Sequence, residues 1–225
     1  METVKPKRSL VDETYEILID AICSGEIASG TRLNQDDIAA RLNVSRQPVN
    51  SAISILKANG LVEDNGRRSV VVTRFDPKLF RSIYDYRKIV EPFSVRLAGN
   101  SFSDKEKLQA NKVLKNGQKA ARNGKLNGLV EADMQFHEMI YAWSGNQVIE
   151  TSMKTNWHHI RRSMSEVLRD PEAVMPVWDE HAEIVEHMFD GHIEKAADAM
   201  KYHIEYAYRT IVDAMEMEKK QFAPV

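Results

Sequence analysis

Residues 36–57 have the periodicity of two short helices joined by a tight turn, and this stretch constrains the local fold strongly. In the second predicted helix, apolar side chains recur at spacings of three and four and so share one face. These residues are Val49, Ala52, Ile53 and Leu56. Ser45 precedes the helix and is predicted to cap it, with its hydroxyl accepting from a backbone N–H of the first turn. The pattern indicates a helix-turn-helix, although a helical hairpin with a solvated polar face has the same periodicity.

The polar face of this second helix carries side chains of the kinds that read base edges in the DNA major groove. Arginine pairs with guanine, whereas asparagine and glutamine pair with adenine. The residues predicted to contact DNA from this helix are Ser45, Arg46, Gln47 and Asn50. Such residues near the start of an exposed helix face are typical of a recognition helix.

A β-hairpin is predicted over residues 60–74, directly after the two helices. Residues 64–66 read Asp-Asn-Gly, a strong signal for a tight turn, and β-branched residues follow it. Arg67 and Arg68 lie at the predicted tip, where they would contact phosphates or the minor groove. A basic hairpin after a recognition helix indicates a winged helix-turn-helix, and an ordinary surface hairpin is the alternative that this segment alone leaves open.

Composition limits where the chain works and what it binds. Lys and Arg number 31 and Asp and Glu 33, so the net charge of −2 does not by itself indicate nucleic-acid binding. Residues 41–57, however, contain three cations and no acid, which predicts a local basic surface. The single Cys23 excludes an internal disulfide and fits a reducing cytoplasm. No apolar run approaches the roughly 18 residues of a membrane span, and the opening METVKPKRSL is not a signal peptide.

The rest of the chain is predicted to be helical. Residues 1–74 form the predicted DNA-binding domain, residues 75–79 a linker and residues 80–225 an all-helical domain. Capping residues, glycines and prolines divide this part into six predicted helices, near residues 77–99, 104–122, 127–142, 147–168, 173–190 and 193–216. The predicted fold is therefore mainly α, with an N-terminal winged helix-turn-helix, a small β-hairpin and a C-terminal antiparallel six-helix bundle.

All seven histidines lie at or after position 137. Asp133 and His137 are four residues apart and share a helix face. His181 and His203 lie on either side of Gly191. A helical hairpin closed at Gly191 would bring both to about the same depth, roughly 15–18 Å from the turn at 1.5 Å per residue. Three imidazoles and a carboxylate suit Zn²⁺, Ni²⁺ or Mn²⁺, but each histidine alone is more typical of an ordinary core or surface position.

Residues 10–74 resemble the DNA-binding domain of the GntR family of bacterial transcription regulators. The matching residues are Gly25, Glu26, Ile27, Gly30, Thr31, Arg32, Leu33, Ile38, Ala39, Leu42, Val44, Ser45, Arg46, Pro48, Val49, Ala52, Ile53, Leu56, Gly60, Leu61 and Val62. The resemblance implies a winged helix-turn-helix that binds DNA. Asn50 and Ser51 stand where the family usually has Arg-Glu, and Arg68 stands where the wing usually has a glycine. The preferred operator sequence therefore does not carry over.

Residues 77–215 resemble the ligand-binding domain of the FadR-type branch of the same family. The matching residues are Arg87, Glu91, Asp133, Phe136, His137, Asn146, His181, Ala196, Met200 and His203. In metal-binding members, an Asp-x-x-x-His pair and two later histidines hold a divalent cation. The resemblance thus implies a metal site formed by Asp133, His137, His181 and His203, with Zn²⁺ the first expectation. With six predicted helices rather than seven, this part of the chain resembles the shorter, VanR-like version of the domain.

An effector site is predicted beside the metal. Arg87 lies on the inward half of its predicted helix, where its guanidinium can clamp a carboxylate with two hydrogen bonds. A pair with Glu91, four residues on, is the open alternative. Asn156 is a polar residue in an apolar stripe and is either hydrogen-bonded core or pocket lining. The family resemblance implies a small organic acid that coordinates the metal through its carboxylate.

These observations predict a ligand-responsive transcription regulator that binds a double-stranded, pseudo-palindromic operator as a homodimer, in the cytoplasm and without a membrane. The regulators that it resembles usually repress. A metal-dependent hydrolase fused to a DNA-binding domain is the rival hypothesis, because three histidines and an aspartate with an open coordination position also suit catalysis. The lack of a general base or nucleophile placed by a motif argues against the hydrolase. A purely architectural DNA-binding protein is the third hypothesis.

Overall fold

The computed structural model describes residues 9–66, 69–99, 102–124, 126–167 and 175–221. The chain divides into two compact units, Met1–Phe75 and Asp76–Val225. Over the described residues it is mainly helical with one small antiparallel sheet, which confirms the predicted fold class. Arg67 and Arg68, predicted at the wing tip, lie outside the described residues.

In the first unit, three helices and a three-stranded antiparallel sheet share one apolar core. The elements in chain order are α1 (Leu10–Cys23), β1 (Arg32–Leu33), α2 (Gln35–Leu42), α3 (Arg46–Ala58), β2 (Val62–Asp64) and β3 (Val70–Val72). The predicted hairpin is present, with Val62 opposite Val72. Strand β3 lies between β2 and β1, and β1 was not predicted. A strand of two residues has no periodicity of its own and exists through its pairing with β3.

The apolar face of α3 lies at the centre of this core. Val49, Ala52, Ile53 and Leu56 are all buried, as their spacing predicted. Asn43 ends α2 in the left-handed conformation, with φ 53°, which asparagine tolerates better than most residues. The chain therefore reverses within three residues between α2 and α3, and this is the tight turn of the helix-turn-helix.

Ser45 occupies the N-cap position of α3 but does not cap it with its side chain. Its backbone is extended, with φ −72° and ψ 166°, and its hydroxyl makes no capping hydrogen bond. The predicted hydroxyl cap is therefore wrong. This helix end is exposed, so water can satisfy the first-turn N–H groups in place of the side chain.

In the second unit, all six predicted helices are present within the described residues. They are α4 (Pro77–Ala98), α5 (Asp104–Arg122), α6 (Leu126–Ser144), α7 (Gln147–Val167), α8 (Met175–Phe189) and α9 (Ile193–Gln221). Helix α4 begins immediately after Phe75 and Asp76, because the Asp76 side chain accepts from the backbone N–H of Lys78 and Pro77 favours the first helical turn. The predicted linker 75–79 is therefore too long, since residues 77–79 are helical.

The helices of the second unit pack so that α4, α6, α8 and α9 meet around one buried region. Helix α4 contacts α6 and α9, and α8 contacts α9 across a short turn. Gly191 closes that turn at φ 76°, a conformation that glycine adopts without a Cβ penalty. Helix α5 contacts α6 and α8, and it starts with the predicted capping box of Ser103 and Glu106. Among the described helices, none is both long and apolar enough to cross a membrane.

Candidate DNA-binding face and metal centre

The predicted DNA-reading residues lie on the exposed side of α3. Arg46, Gln47 and Asn50 are exposed, whereas Val49 between them is fully buried. Arg46 Nε lies 3.0 Å from Asp36 Oδ1, and both side chains are more than half exposed. An exposed pair of this kind contributes at most about 1 kcal/mol. Arg46 can therefore exchange Asp36 for a guanine edge at small cost.

The three cations of residues 41–57 all meet acids from other elements. Arg41 pairs with Glu26 at 4.0 Å, Arg46 with Asp36, and Lys57 donates to Asp64. Residues 41–57 contain no acid themselves, but acids from other parts of the chain lie beside all three cations. The predicted local basic surface is thus largely neutralised in the free protein, by exposed pairs that salt or DNA phosphates can displace.

The four predicted metal ligands converge in the second unit. Asp133 and His137 come from α6, His181 from α8 and His203 from α9, and all four side chains are buried. One ligand atom from each lies within 4.8 Å of the others. His181 Nε2 lies 3.2 Å from His203 Nε2 and 3.5 Å from Asp133 Oδ1. Neighbouring ligands of a tetrahedral ion with bonds of about 2.1 Å are about 3.4 Å apart, so this spacing fits a divalent cation.

Two carboxylates orient the imidazoles from behind. Glu180 Oε2 is hydrogen-bonded to His203 Nδ1 at 2.8 Å. Glu91 Oε2 lies 2.6 Å from His137 Nδ1 as a close polar contact that lacks the angles of a hydrogen bond. A carboxylate that accepts from Nδ1–H leaves the Nε2 lone pair facing the cluster, which is the form that binds metal. Glu180 was not predicted, and its only signal was its place directly before His181. Glu91 was considered only as a partner for Arg87.

His181 is held differently, by aromatic side chains. The Phe136 ring stacks on it with centroids 3.8 Å apart and an interplanar angle of 16°. Trp178 meets it edge-on at 4.8 Å. Its Nδ1 atom is buried and has no hydrogen-bond partner among the described residues. Ring packing therefore replaces the carboxylate in fixing the orientation of His181.

Burial favours the neutral form of two of the cluster histidines, His137 and His181. Burial lowers the pKa of His137, although Glu91 acts in the opposite direction. The pKa of His181 lies well below its ordinary value, because of burial first and then the nearby His203. Burial alone would raise the pKa of Glu91, but Arg87 and His137 hold it well below the ordinary range. His137 and His181 thus favour the neutral form, with the charged carboxylate of Glu91 behind His137, and neutral imidazoles are the form that binds a cation.

Arg87 is buried and contacts both Glu91 and the cluster. Its Nε donates to Glu91 Oε1 at 2.5 Å, and a terminal nitrogen lies 3.4 Å from His137 Nε2. Its guanidinium carbon lies 4.8 Å from the ring centre of Tyr84 and 5.1 Å from that of Trp157. The predicted pair with Glu91 is therefore present, and a terminal nitrogen of the same guanidinium reaches His137, one of the candidate metal ligands.

A cavity of about 40 Å³ adjoins the cluster, with room for a few water-sized groups. Its lining residues are Tyr84, Arg87, Leu129, Asp133, Met164, Val177, Trp178, His203, Tyr206, Ala207, Thr210 and Ile211. Two metal-ligand candidates, Asp133 and His203, thus also form part of the cavity wall. Asn156, predicted as pocket lining, is half-buried on α7 and is not among these residues.

Three polar side chains of the cavity were not predicted. Tyr206 and Thr210 follow His203 on α9 at spacings of three and seven, so helical periodicity could have found them. Tyr84 lies on α4, one turn before Arg87. Burial raises the pKa of Tyr84 to about 12, so its hydroxyl stays protonated and can donate to an anionic ligand.

Comparison with known proteins agrees with this architecture. Residues 10–72 match the bacterial regulatory proteins of the gntR family, and residues 82–206 match the FCD domain. The HTH-type transcriptional repressor RspR of Escherichia coli (strain K12) is 28% identical over 137 residues, which are 61% of this chain and 60% of that protein. The chain spans about three fifths of the length of the curated relatives that it matches.

Two solved structures have the same fold over most of the chain. E. coli McbR/YncC superposes with a TM-score of 0.83 over 92% of this chain and 99% of the other, at 15% identity. A protein described as a transcriptional regulator GntR from Rhodococcus sp. RHA1 has a TM-score of 0.79 and 26% identity, over 91% of this chain and 98% of the other. The chain therefore belongs to the GntR family of bacterial regulatory proteins, not to an enzyme family, and its second unit is an FCD domain.

Proposed function

We propose that the chain is a DNA-binding transcription regulator whose FCD domain binds a divalent metal ion and a small organic acid. The observation that carries this proposal is the buried cluster of Asp133, His137, His181 and His203, which shares a wall with a cavity that contains Arg87. Family membership supports DNA as the partner of the first unit, with α3 as the recognition helix and with Ser45, Arg46, Gln47 and Asn50 facing the bases. Family membership as a DNA-binding regulator also supports a cytoplasmic location for the protein.

Asp133, His137, His181 and His203 would hold the metal. Three imidazoles and one carboxylate suit Zn²⁺ best and also accept Ni²⁺ or Mn²⁺. When bound, the ion would supply a positive charge that attracts an anionic ligand. The protein's own part is to hold the Nε2 atoms inward through Glu91 and Glu180 and to exclude bulk water by burial.

The effector would be a small carboxylic acid in the adjoining cavity. A carboxylate there meets the guanidinium edge of Arg87 and the hydroxyl groups of Tyr84, Tyr206 and Thr210. The small volume favours an acid of few heavy atoms. Asn156 lies away from these groups, so we assign it no contact with the effector.

A homodimer is supported by an apolar stripe on the outer face of α4. Five exposed side chains fall within about 80° of arc at 100° per residue. They are Leu79, Tyr86, Ile89, Phe93 and Leu97. Single exposed apolar residues are ordinary, but five in one row form a continuous patch of the kind that a second copy covers. A twofold dimer would present two α3 helices to a pseudo-palindromic site.

Repression is the regulatory sign that we propose, because the relative RspR is described as a repressor. In this scheme, the effector lowers the affinity for DNA by binding the conformation that does not fit the operator. Binding of both ligands is then coupled through the equilibrium between two conformations.

A thermal-shift screen of small carboxylates on metal-loaded and metal-free protein tests metal, cavity and effector class together. A ligand at about 100 times its Kd stabilises the native state by about 2.7 kcal/mol. We expect one class of carboxylate to raise the Tm of the metal-loaded protein and to leave the metal-free protein unchanged. Equal shifts in Tm for both forms would show that the metal takes no part in effector binding. No shift with any carboxylate would overturn the effector class.

A further inference from the structure

The outer face of α5 carries a row of cations that the proposed function does not use. These residues are Lys105, Lys112, Lys115, Lys119 and Arg122, and all are exposed. At 100° per residue they fall within about 100° of arc, on one side of the helix. The row is about 25 Å long at 1.5 Å per residue.

Charge is segregated onto this helix. Residues 76–225 contain 21 Lys and Arg against 23 Asp and Glu, yet α5 contains six cations and two acids. Both acids lie in its first turn, and Glu106 is engaged by the backbone N–H and hydroxyl of Ser103 at 2.7 and 2.8 Å. No acid occurs from residue 107 to residue 130. Within the described part of the chain, no ion pair under 4 Å neutralises the row beyond that first turn.

The opposite face of α5 is already occupied. Ala110, Val113, Gly117 and Ala121 are buried where α5 packs against α6 and α8. An amphipathic helix that inserts into a lipid surface needs an exposed apolar face. Among the described residues of α5, Leu108 is the single large apolar side chain that is exposed, and one side chain does not make an apolar face. The remaining apolar side of the helix faces the domain core. The row therefore fits a partner that is recognised by charge on a rigid, nearly straight surface.

We propose that the outer face of α5 binds the phosphate backbone of duplex DNA, as a second contact independent of base sequence and separate from α3. A segment of about 25 Å offers about seven phosphates per strand at 3.4 Å per strand, which matches the five cations in number and extent. This contact rests on DNA being the partner of the first unit, but it requires neither metal nor effector. It would raise the affinity for any DNA and leave the choice of operator to α3.

The salt dependence of binding to a mixed-sequence duplex tests this contact. The double variant Lys115→Gln/Lys119→Gln removes two cations from the row without adding an acid. Each lost phosphate contact lowers the slope of log K against log salt by about 0.9, so the slope should fall by up to about 1.8. The matched control Lys154→Gln/Lys195→Gln removes two exposed cations from α7 and α9 and should leave the slope unchanged. Equal slopes for the α5 variant and the wild-type protein would overturn the proposal.

A footprint on the wild-type protein gives an answer that does not depend on variants. DNA should protect Lys112, Lys115 and Lys119 from amine acetylation, measured by mass spectrometry, and leave Lys154 and Lys195 reactive. Unchanged reactivity on α5 would contradict the proposal. So would binding of anionic phospholipid vesicles through α5 without protection by DNA, which would assign the face to a membrane. Arg46→Ala separates DNA binding through α3 from the additional contact through α5. If Arg46→Ala abolishes DNA binding and the α5 variant binds DNA as tightly as the wild-type protein, the proposed function is supported and the α5 contact is contradicted.

Discussion

Glu91 shows why the role of Arg87 could not be settled from the sequence. The spacing of four residues predicted a pair, and the inward position predicted an effector clamp, as if the two excluded each other. In the structure, one oxygen of Glu91 meets Arg87 and the other meets His137. Because a carboxylate has two oxygens, Glu91 can contact both groups. Arg87 is thus anchored through its Nε atom and also lines the cavity, where its guanidinium can meet an effector carboxylate.

The Arg87→Lys substitution separates anchoring from effector binding. Lysine keeps a positive charge near Glu91 but lacks the planar fork that holds a carboxylate with two hydrogen bonds. We expect the response to effector to be lost, while basal DNA affinity, measured by fluorescence anisotropy, stays within about twofold of wild type.

Arg87→Ala provides the contrast. It leaves Glu91 buried without its counter-charge, which costs about 3–5 kcal/mol and lowers stability in denaturant unfolding. An Arg87→Lys protein that still responds fully to effector would show that Arg87 has only a structural role.

The metal assignment predicts a loss of bound ion on removal of one imidazole. His181→Ala should reduce the metal content of protein purified without added metal, measured by elemental analysis, from about one ion per chain to a small fraction. His192→Ala, which removes an exposed histidine beyond Gly191, is the matched control and should retain the ion. Equal metal content in the two variants would show that His181 is not a metal ligand.

Of this candidate site, spacing and resemblance picked out the four side chains that cluster, but not the groups that contact them. Asp133 and His137 are one turn apart, and the turn at Gly191 pairs His181 with His203, so both relations are visible along the chain. The contact of Glu180 with His203 crosses from α8 to α9 and has no helical period. The acids that pair with the cations of residues 41–57 could not be predicted either, because they lie in other parts of the chain and share no helical period with those cations.

Asn50 predicts an altered operator preference. It is exposed on α3 at a position where similar regulators usually have arginine. Arginine prefers guanine O6 and N7, whereas asparagine prefers adenine N6 and N7. Asn50→Arg should shift the selected base towards guanine, with a discrimination of about 1–3 kcal/mol in a binding-site selection. Identical selected sequences for the two proteins would show that Asn50 reads no base.

At the scale of elements, local signals located the helices and the β2–β3 hairpin but missed the strand β1. Helix α5 was predicted at its observed bounds because Ser103, Glu106 and Gly124 mark its ends. Helix α4 begins at residue 77, as its predicted range gave, so the predicted linker 75–79 wrongly included the start of a helix that Asp76 caps. Strand β1 has only two residues, so its existence depends on hydrogen bonds to β3 that no local pattern encodes.

Gly117 gives a prediction at this scale. It lies within α5, where an added Cβ would come within 2.0 Å of the Trp178 ring. An exposed helical Gly→Ala change stabilises a protein by roughly 0.5–1 kcal/mol. Here we expect the opposite effect: overpacking should lower the free energy of unfolding by about 1–3 kcal/mol, measured with denaturant. Because Trp178 also meets His181 edge-on, metal affinity should fall as well.

Asn116→Ala is the control on the same helix, because Asn116 is exposed and alanine is the better helix former. It should leave both stability and metal affinity at or slightly above the wild-type values. A Gly117→Ala protein as stable as the Asn116→Ala protein would show that Trp178 moves aside without cost.

At the scale of the whole molecule, two faces of the FCD domain differ in chemistry. The outer face of α4 is apolar and the outer face of α5 is cationic. An apolar stripe is covered by a similar stripe, whereas a cationic row repels its own copy. This difference in chemistry is the reason for proposing α4 as the face for a second copy and α5 as the face for DNA.

Ile89→Glu tests the proposed dimer. Ile89 is 74% exposed and lies in the middle of the α4 stripe, so the substitution strains nothing inside the domain. In a twofold interface a central residue lies near its own copy, so the change would bring two like charges together in apolar surroundings. We expect the mass from light scattering to fall from dimer to monomer. Operator affinity should fall too, because the two α3 helices would no longer bind as one unit. Leu108→Glu, at a site 71% exposed on α5, should leave the mass unchanged. A dimeric Ile89→Glu protein would place the interface elsewhere.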